Sequence, residues 1–156
     1  MKVRCYMRFY MVDRIKEWNA GESITASKLL SYQDCYMKDE ITDEHYFPEP
    51  LMAEALCQAG AWLIMLTTDF KQRAVLLSAE SITFHKRVVP GDELVLYGQV
   101  DSLHENAAVF SGHGIVNDEV VMKMNYMMCS LVSTDELEDV ERTKRTFHEL
   151  SSGEEQ

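Results

Sequence analysis

Glu54 and Gln58 are the two polar side chains in an otherwise apolar run of sixteen residues, 51–66. They stand one helical turn apart, so a helix stacks them on one face. A carboxylate among apolar neighbours is costly unless it is paired, hydrogen-bonded or protonated, which makes Glu54 the first candidate for proton transfer. The plainer reading places it at a half-open helix end, where water solvates it. His45 lies nine residues upstream, and an imidazole is the usual side chain for a general base. Glu40 could share a proton with Glu54 if the two carboxylates faced each other; as one acid among Asp39, Asp43 and Glu44 it reads more simply as an exposed loop residue. His85 and His113 read as strand surface residues. Cys5, Cys35, Cys57 and Cys129 form no Cys-x-x-Cys pair and have no nearby histidine spacing. The sequence therefore predicts no metal centre and no disulfide framework, with the cysteines as small core residues.

A helix apolar on every side must be buried on every side, and sixteen residues make a poor membrane span. The run thus predicts a central helix in a soluble domain, opened by Pro48 and Pro50, which the first helical turn tolerates. Residues 9–18 and 23–30 read as a hairpin about the turn Asn19-Ala20-Gly21-Glu22. Residues 31–46 are polar, without periodicity, and read as a loop. Beyond the helix, residues 74–88, 93–102, 107–116 and 120–132 read as strands joined by short turns, hence antiparallel neighbours. One apolar helix with about six strands packs if the sheet curls round the helix, an α+β architecture.

The chain has 156 residues and a formal net charge of −11. Its length suits one domain, over residues 1–133, followed by a charged tail, 134–156, as a solvated helix or frayed end. The charge excludes nucleic acid and anionic membrane surfaces as favoured partners. Lys86 and Arg87 are the one local basic pair that could face an acidic partner. Charges interrupt every apolar stretch near the N-terminus, so no signal peptide is expected and the setting is read as cytoplasmic.

Three motifs in order carry a resemblance. Val12-Asp13-Arg14 precedes the Ala20-Gly21 turn; Glu54-Ala55-Leu56-Cys57-Gln58-Ala59 matches a Glu-Ala-x-x-Gln-Ala helix; Val88-Val89-Pro90-Gly91-Asp92 follows Phe84 by four residues. Together they resemble the FabZ-type β-hydroxyacyl-acyl carrier protein dehydratases. The resemblance implies a hot-dog fold, with a curved antiparallel sheet of about six strands round one helix. It also implies a homodimer or higher even oligomer, and a site in which a histidine loop and a carboxylate helix come from different protomers. The implied substrate is a 3-hydroxyacyl thioester on acyl carrier protein or coenzyme A, dehydrated without a cofactor. Glu54 falls on the family's carboxylate and Gln58 on its orienting partner. Phe84 falls on the strand aromatic and Glu49 on the glycine at the helix start. Two positions depart. The histidine of the family's His-Phe-Pro-Gly motif falls on Glu40, leaving His45 as the nearby base. Pro50 follows Glu49 and offers no N–H. The expectation is therefore a dehydratase homologue of fatty-acid or polyketide-type metabolism with incomplete machinery. The alternatives are a non-catalytic acyl-binding subunit and a hot-dog thioesterase.

Overall fold

The computed structural model describes residues 10–152. Cys5 and the expected start of the first strand at Phe9 lie outside them. Two short strands, β1 (Arg14–Asn19) and β2 (Ser23–Leu29), open the fold as a hairpin. Gly21 sits in its turn at φ 75°, where a side chain would be strained. Its N–H donates to Thr67 Oγ1 at 2.8 Å, tying the turn to the end of the central helix. Residues 31–46, expected as plain loop, contain a two-residue hairpin of β3 (Met37–Lys38) and β4 (His45–Tyr46). The central helix α1 (Glu49–Thr67) follows, then β5 (Gln72–Phe84), β6 (Glu93–Leu103), β7 (Ala107–Val116) and β8 (Glu119–Ser133). Six strands form one antiparallel sheet in the order β1-β2-β6-β7-β8-β5, with α1 packed across one face. This is the expected helix-in-sheet architecture, with one correction to strand order: β5 and β6, expected as neighbours across a short turn, lie apart, because β5 pairs with β8 at the far edge and β6 lies between β2 and β7.

Three boundaries differ from expectation. β1 begins at Arg14; Met11 and Val12 are buried ahead of the ladder. β5 ends at Phe84, and after a further bond from the His85 N–H to Val121 O the chain leaves the sheet, with Phe47 N–H bonding Val88 O at 2.8 Å. α1 runs nineteen residues, and by length and composition alone it could cross a membrane. Its residues from Ala59 to Met65 are all buried, as a core helix requires. Its first half, however, is not buried all round. Glu49, Pro50 and Glu54 are exposed, while Leu51, Ala53, Cys57 and Gln58 are half-buried. The helix thus has one open face over its first half, with the candidate carboxylate on it.

The described part of the C-terminal charged segment, residues 134–152, is helical and packs one side on the core while its charged side stays exposed. It forms α2 (Thr134–Leu137) and α3 (Val140–Ser151), and Asp139 caps α3 by accepting from the Arg142 N–H at 2.9 Å. Phe147 of α3 drops between aromatic rings, 5.2 Å from Trp18, 5.8 Å from Phe70 and 6.2 Å from Trp62. It therefore closes the helix–sheet core beside the end of α1. Truncating a buried phenylalanine removes that contact and leaves a cavity. Phe147→Ala is expected to cost about 3 kcal/mol, read as a lowered urea midpoint.

β5 is an edge strand of thirteen residues. Among the described residues no strand pairs with its outer edge, and it exposes Val75, Leu76, Leu77 and Ile82. A long apolar edge of this kind is a template for pairing with another chain.

Candidate functional site

Glu54 projects from the open face of α1, and Gln58 holds it there. The Gln58 Nε2 donates to Glu54 Oε1 at 2.9 Å, while Gln58 Oε1 accepts the Met11 N–H at 2.8 Å. With its carbonyl end committed to the backbone, the amide has its NH2 end left to face the carboxylate. The pair is thus an oriented unit and not two independent surface side chains.

His45 lies half-buried on β4 at the far end of the loop from Glu40. Its Nδ1 is 3.1 Å from the carbonyl oxygen of Cys35, and its ring lies against Tyr32, with centroids 4.6 Å apart. A carbonyl can only accept, so Nδ1 carries the proton and Nε2 is the basic nitrogen. Glu40, at the position of the family histidine, is exposed on the preceding turn.

The start of α1 has few donors to offer. Pro48 caps the helix without a side-chain bond, and Pro50 has no N–H. The N–H groups of Leu51 and Met52 both bond Pro48 O, at 3.0 and 3.2 Å. The Glu49 N–H is the donor of that turn without an intrahelical partner. The carboxylate of Glu49 is exposed and close enough to Arg87 to raise the guanidinium's pKa slightly further, behind the larger effect of Asp39.

The basic pair is already occupied. Arg87 is ion-paired with Asp39 and lies over the Tyr46 ring at 4.1 Å from its centroid; Lys86 bonds Glu119 at 2.8 Å. The Arg87 guanidinium, with the Thr42 and Ile41 N–H groups, holds Asp39 well below the usual carboxylate range. Lys86 and Arg87 therefore serve local carboxylates, which limits them as a free patch for an acidic partner. Phe84, at the end of β5 opposite Met122, is half-buried against the core. The exposed His85 extends the sheet by bonding Val121 O through its N–H. His113 sits on the sheet face away from α1, its ring 5.1 Å from Tyr97; burial, then Lys123, pushes its pKa down.

Burial disfavours the thiolate at all three described cysteines, Cys35, Cys57 and Cys129. Burial, then the Glu54 charge, pushes Cys57 up to about 12, and burial, then Asp34 and Asp92, pushes Cys35 up to about 11. Among the described residues no group of three or more histidines, cysteines and carboxylates is placed to hold a metal.

One residue escaped sequence reasoning. Lys28 is 5% exposed, with Nζ 3.5 Å from Asp34 and 3.9 Å from Asp13. The available signal was its register: Lys28 sits two residues after the inward-facing Ala26, on the same side of β2.

A single helix held in the curl of an antiparallel sheet defines a hot-dog protein, here with an oriented carboxylate on the open face of the helix. The family model described as the FabA-like domain matches residues 5–125, and the chain belongs to that family. A curated relative, the 3-hydroxyacyl-[acyl-carrier-protein] dehydratase FabZ of Clostridium tetani, is 28% identical over 118 residues, 75% of this chain and 83% of its own length. Among solved structures, a hot-dog-like protein from Thermanaerovibrio acidaminovorans superposes with a TM-score of 0.61 at 19% identity, over 82% of this chain and 92% of its own. A hypothetical thioesterase from Streptococcus pneumoniae, solved with coenzyme A, gives 0.58 at 14% identity, over 75% of this chain and 84% of its own. At those identities the two structures establish the shared fold.

Proposed function

We propose that the chain is a FabZ-like dehydratase acting on 3-hydroxyacyl thioesters, with Glu54 and His45 as its acid–base pair. The observation that carries this reading is the Glu54 carboxylate fixed by Gln58 on the exposed face of α1. His45 Nε2 takes the C2 proton, and the C2–H electrons form the C2–C3 double bond. The C3 hydroxyl leaves as water with a proton passed from Glu54. The Glu49 N–H is the donor for the thioester oxygen as charge develops, and Arg87 offsets the Glu49 carboxylate. Phe84 contributes to the acyl-facing wall. Pairing of two β5 edges across a homodimer accounts for the exposed apolar strand, and brings a second protomer to the site.

A second reading, a non-catalytic acyl-binding subunit, is favoured by two observations: exposed Glu40 in place of the family histidine, and Pro50 in place of an N–H donor. A thioesterase rests on the fold alone. One assay separates the three. Pure protein is given a crotonyl thioester on coenzyme A and on acyl carrier protein, and both enoyl absorbance and free thiol are followed. Hydration is expected, and His45→Ala is expected to reduce it about 10²-fold. Binding without turnover on either carrier would establish the subunit reading, and release of thiol the thioesterase.

A further inference from the structure

We propose that Lys28 is a positioning residue for His45, acting through the turn of residues 31–35; its catalytic consequence rests on the reading of His45 as the base. The connection can be followed atom by atom. Lys28 projects from β2 under the turn and is nearly withdrawn from solvent. Its Nζ faces Asp34 Oδ1 at 3.5 Å. The other oxygen of Asp34 accepts from the Ser31 N–H at 2.9 Å and the Ser31 hydroxyl at 2.7 Å, and the Cys35 N–H donates to Ser31 O at 3.3 Å. These bonds close the turn upon itself. The same turn supplies both partners of the imidazole: the Cys35 carbonyl to Nδ1 and the Tyr32 ring to its face.

The turn is anchored at its start by Leu30, whose N–H donates to Asp92 O at 2.9 Å and whose O accepts the Gly91 N–H at 2.8 Å, while its tip has few fixed supports. Cys35 is fully buried beneath it, but Ser31, Tyr32 and Gln33 are exposed. On its other side Asp13, in the Val12-Asp13-Arg14 motif, accepts the Leu29 N–H at 2.8 Å and lies 3.9 Å from Lys28 Nζ. A buried ammonium is tolerated here because two carboxylates flank it. Replacing it with an apolar side chain leaves Asp13 and Asp34 as neighbouring like charges. Both are partly open to water, so they separate and the turn lifts from β2. His45 then loses the carbonyl that selects its tautomer. An Nδ1–H tautomer matters because it alone leaves Nε2 as an acceptor pointing away from the turn.

The test is long-range ¹H–¹⁵N spectroscopy of the histidine rings in the full chain, with His45 assigned from a His45→Gln spectrum. The unmodified protein is expected to show neutral His45 as the Nδ1–H tautomer. Lys28→Met is expected to lose that signature and Lys28→Arg to keep it. In the hydration assay, Lys28→Met is expected to lower kcat roughly ten- to hundred-fold with KM little changed. A folded Lys28→Met protein that retains the Nδ1–H signature overturns the proposal, as does an Nε2–H tautomer in the unmodified chain. If Lys28→Met does not fold, Asp34→Asn decides in its place, and an unchanged tautomer there overturns it equally. The spectrum reads positioning whether or not the protein turns over a thioester. Absence of turnover with the expected spectra refutes the catalytic reading and supports the positioning one.

Discussion

Glu54→Ala is expected to lower hydration of a crotonyl thioester by about 10²- to 10⁴-fold while leaving the protein folded. The fold is spared because the side chain is exposed and alanine is the better helix former. Gln58 loses an acceptor but keeps its bond to the Met11 N–H, and water can take the freed amide hydrogens. Glu54→Gln separates charge from shape. The amide can still accept from Gln58, so the geometry survives, but it cannot pass a proton to the departing hydroxyl. Both variants should therefore fall together in kcat/KM, with thermal unfolding near that of the parent. Unchanged turnover in either would remove Glu54 from the chemistry. Equal losses of activity and stability would reduce it to a structural residue.

The resulting picture mixes what local sequence can specify with what it cannot. Glu54 and Gln58 were legible because an i, i+4 relation is fixed by the helix itself. The β1–β2 hairpin turn and the turn before β6 were legible because Gly21 and Gly91 adopt positive φ where other residues are strained. The open face of α1 was not legible. Small apolar residues such as Ala53 and Cys57 look alike whether they are sealed against the chain's own sheet or left half-open. The bond from His45 to Cys35 depends on a ladder of two residue pairs, Met37 with Tyr46 and Lys38 with His45, too short for periodicity to show. α3 was obscured by its composition. Its charges dominate the average, whereas its placement is decided by one aromatic, Phe147, whose partners lie on β1, α1 and the connection after α1.

What fixes α1 above the sheet is a close approach at Gly60, and the second large effect is expected there. A Cβ at residue 60 would stand 2.8 Å from Phe110 Cε1, 2.5 Å from Cε2, and nearer still to Cζ. Phe110 is 4% exposed on β7, and its ring also lies beside Gly98, where a Cβ would meet Cε2 at an ordinary 3.7 Å. Neither the ring nor the helix backbone can yield without disturbing its neighbours. Gly60→Ala should therefore destabilise the protein by about 2 kcal/mol, even though alanine in a helix interior is worth about 1 kcal/mol over glycine. The sign of the effect is the sharper test. Phe110→Leu removes the three ring atoms that the new methyl would meet. In that background only the helix preference remains, so Gly60→Ala should turn from destabilising to stabilising. The coupling is read from a double-mutant cycle of urea midpoints. Additive effects would mean that the helix rides higher than this contact implies. Because Glu54 sits six residues along the same rigid helix, such a shift would also displace the carboxylate, so loss of hydration activity should accompany loss of stability in Gly60→Ala and recover with Phe110→Leu.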